Sequence, residues 1–169
     1  MPAGMDHEQA CQFIKLFTDA GCNFVNISQG SYENPGAAFA PDEEGGFSQW
    51  APGFKKASSG LPIICPGWMN PETAAEALKN GSIDIVSLGR PSIADPFWPA
   101  KAKEGREKDI VKCARCQRCY LTLNTANWAT CSVNPTAGWE EYFPELWQNG
   151  SFSKRTKRFM DKCEGLDEI

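Results

Sequence analysis

The sequence predicts an α/β fold in which short parallel strands alternate with helices. Three short apolar segments, at residues 22–28, 61–65 and 83–88, alternate with stretches that have helical spacing. A strong helix-start signal, Asn70 followed by Pro71, lies between the last two of them. Strands that alternate with helices form parallel βαβ units with right-handed crossovers. Residues 6–105 are therefore expected to form about three such units.

The first unit begins with a helix predicted over residues 6–20. Its apolar positions recur at helical spacing and are Ala10, Phe13, Ile14, Phe17 and Ala20. Asp6 is a plausible N-cap with Gln9 three residues later, and Gly21 stands where a helix would end. Residues 22–28 then read as a strand that places Cys22 in the core. A loop rich in Gly and Pro follows over 29–46, and residues 47–58 are a weak helix candidate.

The second and third units are more regular. Residues 61–65 are a short apolar strand that ends in Cys65, which is expected in the core. The next helix starts at the Asn70 cap, uses Ala74, Ala75, Ala77 and Leu78 as its apolar side, and ends at Gly81. Residues 83–88 form the third strand. Asp95-Pro96 is expected to open a further helix that runs to about residue 104.

Composition excludes several classes of function. With 41% hydrophobic and 22% charged residues the chain is globular, and a net charge of −4 argues against a nucleic-acid partner. No apolar run approaches the roughly 20 residues that span a bilayer, so no membrane association is expected. The N-terminus lacks the pattern of a signal peptide, which predicts a cytoplasmic protein. Eight cysteines in a reducing compartment suggest metal binding rather than disulfides.

Two loops that follow strands have the composition of an anion site. The first contains Gly67 and Trp68 before the helix capped by Asn70, and the second contains Gly89 and Arg90. Glycine allows close approach of backbone to a ligand, helix N-termini attract anions, and arginine suits phosphate. The alternative is that both glycines only permit tight turns and Arg90 pairs with a carboxylate. Spacing alone leaves the two interpretations about equal.

Four cysteines are spaced as ligands of one centre. Cys113, Cys116 and Cys119 form a C-x2-C-x2-C pattern, and Cys131 follows after eleven intervening residues. Three thiols at this spacing are expected in one loop, to which the fourth returns. Four thiolates suit an iron–sulfur cubane or a structural zinc ion. Zinc sites more often pair two separate two-cysteine knuckles, so the spacing favours the cluster. Unliganded cysteines are a poorer interpretation, because the intervening residues are polar.

These residues together resemble the iron–sulfur branch of the Old Yellow Enzyme family of flavin oxidoreductases. The resemblance is carried by Leu61–Cys65, Asn70-Pro71-Glu72, the run from Asp84 to Pro96, Lys101, Gly105 and the four cysteines up to Pro135. It implies part of a TIM (β/α)8 barrel, about strands 6–8 with their helices, over residues 1–111. A [4Fe-4S]-binding segment would occupy residues 112–138, and residues 139–169 form a tail without a predicted fold.

The resemblance also implies cofactors and their ligands. Gly67, Trp68, Gly89 and Arg90 would hold the phosphate of FMN, and the four cysteines would hold a [4Fe-4S] cluster near the flavin. The cluster would pass single electrons between FMN and a second flavin. FAD and NAD(P)H would bind only to a C-terminal domain that is absent from this chain, since no G-x-G-x-x-G pattern follows Pro135.

The sequence departs from the family pattern in several places. Strands 1 to 5 and their flavin contacts are missing, so this chain is expected to be a fragment, a split-gene subunit or a remnant with little activity of its own. A separate chain that carries the missing half-barrel, or a flavin and nicotinamide domain, is the expected partner. Tyr32 lies near the position of a catalytic histidine in some relatives and is a weak catalytic candidate. His7 is expected to be a solvated first-turn residue.

The function expected from this pattern is that of an FMN- and [4Fe-4S]-dependent NAD(P)H:flavin oxidoreductase. Its small-molecule substrates would be enones, enoyl thioesters, enoates or amines, and the chain does not carry the strands that would choose among them. The alternative function is a zinc-binding interaction module without redox activity, which would use the aromatic residues of the segment 139–152 as a contact surface.

Overall fold

A computed structural model describes residues 4–28, 44–67, 69–126 and 128–140. The chain divides into two compact units, Met1–Leu88 and Gly89–Ile169. Tyr32, Trp68 and the tail beyond residue 140 lie outside the described residues. No helix within the described ranges is both long and apolar enough to cross a lipid bilayer.

The first unit contains the predicted parallel sheet. Its strands are β1 (Val25–Asn26), β2 (Ile63–Cys65) and β3 (Ile85–Val86), in the order β1-β2-β3. Val25 pairs with Ile63 and Ile64 pairs with Ile85, both in parallel register. Ile63 and Cys65 are fully buried, whereas Ile64 between them is half-buried. The three strands thus form a parallel sheet, as the alternating pattern predicted.

Helices of this unit begin where local capping permits. Helix α1 (His7–Asp19) has the predicted capping box, in which Asp6 accepts from the Gln9 backbone N–H at 2.8 Å and the Gln9 side chain accepts in return. The weak candidate at 47–58 is a 3-10 turn (Gly46–Gln49) followed by α2 (Ala51–Ala57). Pro in the first turn explains the restart at residue 51. Helix α3 (Pro71–Lys79) is capped by Asn70 as predicted.

One expectation about the core of this unit is wrong. Cys22 is exposed, because β1 begins only at Val25 and Cys22 lies in the turn that closes α1. The apolar side of α1 is also only partly buried, since Ile14 is 6% exposed but Phe13 and Phe17 are 47% and 52% exposed. Cys65 is buried, as expected. Large apolar side chains therefore remain on the surface of the first unit.

The second unit contains short helices and the cysteines. Its helices are α4 (Arg90–Ala94), α5 (Trp98–Lys103), a 3-10 turn (Glu107–Asp109) and α6 (Arg118–Ala126). The helix predicted after Asp95-Pro96 is present as α5, and it begins at Trp98. The Asp95 carboxylate accepts from the Phe97 N–H at the start of this helix and also faces Lys101. Cys119 lies in the first turn of α6 rather than in a loop. The sequence did not predict this helix, because Thr122 and Thr125 are of a residue type that is unfavourable in helix interiors. Both threonine hydroxyls donate to carbonyl oxygens four residues earlier.

Candidate metal centre

One pocket of the second unit brings together the four cysteines that the sequence singled out. Its lining residues are Arg90, Ile93, Cys113, Ala114, Cys116, Gln117, Arg118, Cys119, Cys131, Ser132 and Val133. The C-x2-C-x2-C stretch supplies one wall, and the return after Cys131 supplies the other. The structure thus gathers all four thiols around one space, and their role as ligands remains a prediction.

Backbone conformation explains how closely spaced cysteines face one pocket. Arg115 and Gln117 both have left-handed backbone, with φ of 55° and 60°, whereas Cys116 between them does not. Left-handed backbone costs a non-glycine residue roughly 1–2 kcal/mol. Alternation of this kind turns successive N–H groups toward one concave side, an arrangement that recurs at phosphate and iron–sulfur sites. The Arg115 N–H accordingly donates to the Cys113 sulfur at 3.4 Å.

Hydrogen bonds favour the thiolate form at Cys116. Its sulfur lies 3.2 Å from the Ser132 hydroxyl oxygen. That contact, with a further hydrogen bond from the Arg118 backbone and the positive charge of Arg118, lowers the pKa of the Cys116 thiol. Cys116 is also the one exposed thiol of the four. A ligand at this position therefore has donors already aimed at it.

At Cys131 the surroundings favour the neutral thiol instead. Burial raises the pKa of the Cys131 thiol, and nearby Cys113 and Cys119 add to this rise through charge repulsion. The backbone N–H groups of Val133 and Asn134 oppose it by hydrogen bonding to the sulfur. The four cysteines line one pocket, so their thiolates would repel one another. A bound cation removes this penalty, because coordinated thiols are deprotonated outright.

A buried ion pair holds the start of the segment 112–138, called here the cysteine segment. The Lys101 ammonium lies 2.6 Å from the Asp95 carboxylate, and the two side chains are 1% and 0% exposed. The same carboxylate oxygen accepts from the Val111 N–H at 2.9 Å, two residues before Cys113. Lys101 also donates to the Asp109 carbonyl at 2.9 Å. Helix α5 and the entry to the cysteine segment are thus tied to one buried centre.

A buried amide holds the end of the cysteine segment. Asn134, 1% exposed, donates to the Ile93 carbonyl at 2.7 Å. Its carbonyl oxygen accepts from both the backbone and the hydroxyl of Thr136, at 3.1 and 2.8 Å. Ile93 itself lines the cysteine pocket. Both ends of the cysteine segment are therefore fastened close to residues 93–95.

The donor set fits a thiolate-bound iron–sulfur cluster. Four thiols line one space, and N–H or O–H groups lie against the sulfurs of Cys113, Cys116 and Cys131. Such hydrogen bonds support cluster ligands and set their potential. Across the described ranges, no group of three or more His, Cys, Asp or Glu side chains is arranged to hold a metal ion as it stands. The agreement with an iron–sulfur cluster therefore lies in the four thiols and in the hydrogen-bond donors against their sulfurs.

The predicted phosphate ligands are divided between the two units. Gly67 follows β2 with φ of 121°, and a Cβ there would lie 3.1 Å from the Phe47 ring. Gly89 precedes α4, and Arg90 lines the cysteine pocket. Trp68, like the weak catalytic candidate Tyr32, lies outside the described residues. The joint role of Gly67, Gly89 and Arg90 toward a phosphate stays a prediction.

Sequence reasoning missed the residues that support the cysteines. Ser132, Asp95 and Asn134 belong to the strings that carried the family resemblance, but no spacing rule assigned them a contact. Lys101 also belongs to the residues that carried the resemblance, but its helical pattern did not indicate that it would be buried. The usable signal was an Asp and a Lys six residues apart in a stretch of otherwise apolar character.

Comparison with known proteins places these observations in context. A sequence profile of the NADH:flavin oxidoreductase / NADH oxidase family matches residues 2–109. An NADH oxidase from Thermoanaerobacter brockii is 35% identical over 150 residues, which cover 83% of this chain and 22% of that protein. A dimethylamine dehydrogenase from Hyphomicrobium is 38% identical over 97 residues, or 56% of this chain and 13% of the relative.

A solved structure shares the fold. The complex of 2-naphthoyl-CoA reductase with 2-naphthoyl-CoA superposes with a TM-score of 0.76 at 35% identity, and the match covers 83% of this chain and 22% of the reductase. The predicted α/β class, a partial (β/α)8 barrel, is thereby confirmed. The chain spans about a fifth of the length of this structure and of the NADH oxidase.

Proposed function

This chain belongs to the NADH:flavin oxidoreductase / NADH oxidase family, and from this premise we propose that it is the cluster-bearing segment of an FMN- and [4Fe-4S]-dependent oxidoreductase. The observation that carries the proposal is the pocket lined by Cys113, Cys116, Cys119 and Cys131. Four thiolates from one connected segment, with hydrogen-bond donors against their sulfurs, are the protein's means of holding and tuning such a cluster.

Residues of this chain would have two roles, cluster ligation and phosphate binding. The four cysteines would ligate the cluster, which when bound supplies one-electron transfer beside a flavin that exchanges hydride. Gly67, Trp68, Gly89 and Arg90 would bind the FMN phosphate. Arg90 supports this assignment because it lines the cysteine pocket and carries a permanent charge suited to phosphate.

The names of two relatives support a proposal for the substrate class. One relative is named for reduction of a naphthoyl thioester and another for dehydrogenation of dimethylamine. We therefore propose an enone, enoyl thioester or enoate, or alternatively an amine, as substrate of the whole enzyme. Electrons from NAD(P)H would enter through FAD on a domain outside this chain. The expected compartment is the cytoplasm, where free thiols persist.

The partner proposed is protein that completes the barrel around the sheet of the first unit. Exposed large apolar side chains on that unit support it: Phe24 is 57% exposed and Ile85 in β3 is 47% exposed. Parallel sheets are normally covered on both faces. Co-purification of this chain with a polypeptide that contains the other strands would support the pairing, and a stable, well-behaved monomer would count against it.

Anaerobic loading with iron and sulfide tests the proposal. Wild-type chain should turn brown, with the broad visible absorption of iron–sulfide charge transfer. Cys119→Ser should lose most of this absorption. Cys22→Ser is the matched control, because Cys22 is exposed and lies outside the site, and it should load like wild type. Equal loading of all three proteins would contradict the ligand assignment.

A structural zinc site is the second candidate, because four thiolates also suit zinc. The observation that favours it is an exposed aromatic pair suited to protein contacts: Trp128 and Trp139 are 49% and 41% exposed, with ring centroids 5.9 Å apart. A colourless protein that binds one zinc ion per chain and excludes iron would establish this alternative.

A further inference from the structure

Ser132 makes a contact that no family-level expectation assigned. Its hydroxyl oxygen lies 3.2 Å from the Cys116 sulfur, sixteen residues away in sequence. Either atom of a neutral pair can donate, but a metal-bound cysteine is a thiolate without a proton. In a loaded site the Ser132 hydroxyl must therefore be the donor and the Cys116 sulfur the acceptor.

The surroundings hold Ser132 in place. It is flanked by Cys131, which lines the pocket, and by Val133, whose N–H bonds to the Cys131 sulfur. Two residues later, buried Asn134 is anchored to the Ile93 carbonyl at 2.7 Å. Because the backbone that follows Ser132 is anchored, less conformational entropy is lost when the hydroxyl contacts Cys116.

At Cys116, the exposed thiol of the four, the Ser132 hydroxyl lies within hydrogen-bond distance of the sulfur. Reduction adds negative charge to a cluster and its sulfur ligands. A hydrogen bond to a ligand sulfur therefore stabilises the reduced state more than the oxidised state. Loss of the donor should make the cluster harder to reduce. Water can partly replace the hydroxyl at an exposed sulfur, so the effect should be modest.

We propose that Ser132 is a tuning residue, whose hydroxyl donates to the Cys116 thiolate and raises the reduction potential of the bound cluster. This inference rests on the proposed function, since it needs a cluster at the four cysteines. Ser132 touches a ligand and not the metal, so its role is to position a proton at the Cys116 sulfur.

Redox titration of the full chain, loaded anaerobically with iron and sulfide, tests this role. Ser132→Ala should shift the ratio of reduced to oxidised cluster about threefold toward oxidised at fixed potential, or about 30 mV lower for a one-electron couple. Ser132→Thr retains the hydroxyl and should titrate like wild type. Thr125→Ala is the control, because the Thr125 hydroxyl donates to the Leu121 carbonyl on α6. This variant should have the potential of wild type.

Iron and sulfide analysis of each protein separates failure of this inference from failure of the proposed function. Equal potentials in loaded wild type and Ser132→Ala would overturn the tuning role and leave the cluster assignment intact. A wild-type chain that takes up no iron would overturn both.

Ser132 is exposed, so alanine should not disturb the fold, and Ser132→Gly repeats the test if alanine does. Loss of the cluster in both variants, with retention in Ser132→Thr, would replace the tuning role by a structural one and overturn the proposal.

Discussion

The Lys101 ammonium and the Asp95 carboxylate form a buried ion pair, 2.6 Å apart, that controls where the cysteine segment begins. Asp95 also accepts from the N–H groups of Phe97 and Val111, and Lys101 donates to the Asp109 carbonyl. Every one of these partners lies between α4 and Cys113. Isolated buried pairs add little stability, but this one satisfies its lone pairs and N–H groups from backbone on both sides.

Removal of one partner should therefore be costly. Lys101→Met leaves an uncompensated carboxylate in a fully buried position, and we expect the free energy of unfolding to fall by about 3–5 kcal/mol. Urea unfolding followed by circular dichroism measures this loss. Lys15→Met is the control, because the Lys15–Asp19 pair on α1 is exposed, and its loss should cost less than about 1 kcal/mol. Similar losses in the two variants would contradict the role given to Lys101.

Asn134 should be needed to retain a cluster as well as for stability. Asn134→Ala leaves the Ile93 carbonyl and the Thr136 donors without their partner, which costs about 1–3 kcal/mol for buried polar groups. The end of the cysteine segment should then loosen, and a chelator should strip iron from the loaded protein faster. Asn124→Ala, which removes an exposed amide on α6, should leave the stripping rate unchanged. Equal rates in both variants would show that Asn134 does not secure the site.

Replacement of Gly67 by alanine should reduce stability more than the same replacement at Gly60, a glycine with similar backbone. Gly67 has φ of 121°, and a Cβ added there would lie 3.1 Å from the Phe47 ring, whereas Gly60 has φ of 96° with open space around it. Gly60→Ala should cost about 1 kcal/mol from backbone strain alone. Gly67→Ala adds a steric contact and should cost about 2–3 kcal/mol in all. Thermal unfolding compares the two, and equal losses would show that Phe47 yields without penalty.

Acid should weaken the first unit partly through Asp84. Its hydrogen bonds from Lys55 at 2.6 Å and from the Ile63 N–H at 2.9 Å lower the pKa of the carboxyl below its ordinary value. A lowered folded-state pKa gives stability that is present above the unfolded-state pKa and lost as pH falls through the folded-state value. Because Asp84 is exposed, salt should reduce the effect.

The Asp84→Asn variant isolates this contribution. Wild type should exceed it in stability at neutral pH, and the gap should close as pH falls below about 4, the ordinary range of an aspartate pKa. Guanidinium is unsuitable here because it screens charge, so urea unfolding between neutral and acid pH is the measurement. A gap that persists unchanged at the lowest pH would assign the loss to packing instead.

Local signals predicted the elements of the fold well. Asp6 with Gln9, and Asn70 with Pro71, gave correct helix starts because caps are satisfied by residues within one turn. Cys65 was expected in the core and is buried. The expectation that Cys22 lies in the core was wrong, because apolar neighbours in the sequence do not reveal where strand pairing begins. Strand β1 begins only at Val25, and Cys22 is exposed.

The sequence likewise predicted some residues of the candidate site and not others. Spacing identified the four cysteines, since ligands of one centre must lie close along a loop or return to it. It did not identify Asp95, Lys101 or Ser132, because their roles depend on contacts across six to sixteen residues that only the folded chain defines. The left-handed backbone at Arg115 and Gln117 was likewise invisible, since neither residue type favours it.

Metal and sulfide analysis of the full chain, purified without oxygen and examined by Mössbauer spectroscopy, tests whether the four cysteines hold an iron–sulfur cluster. We predict about four iron and four sulfide per chain, with the spectrum of a thiolate-ligated cubane that disappears when Cys113, Cys116, Cys119 and Cys131 are replaced by serine. One zinc ion per chain with no acid-labile sulfide, or four thiols that stay free to react with a thiol reagent, would contradict it.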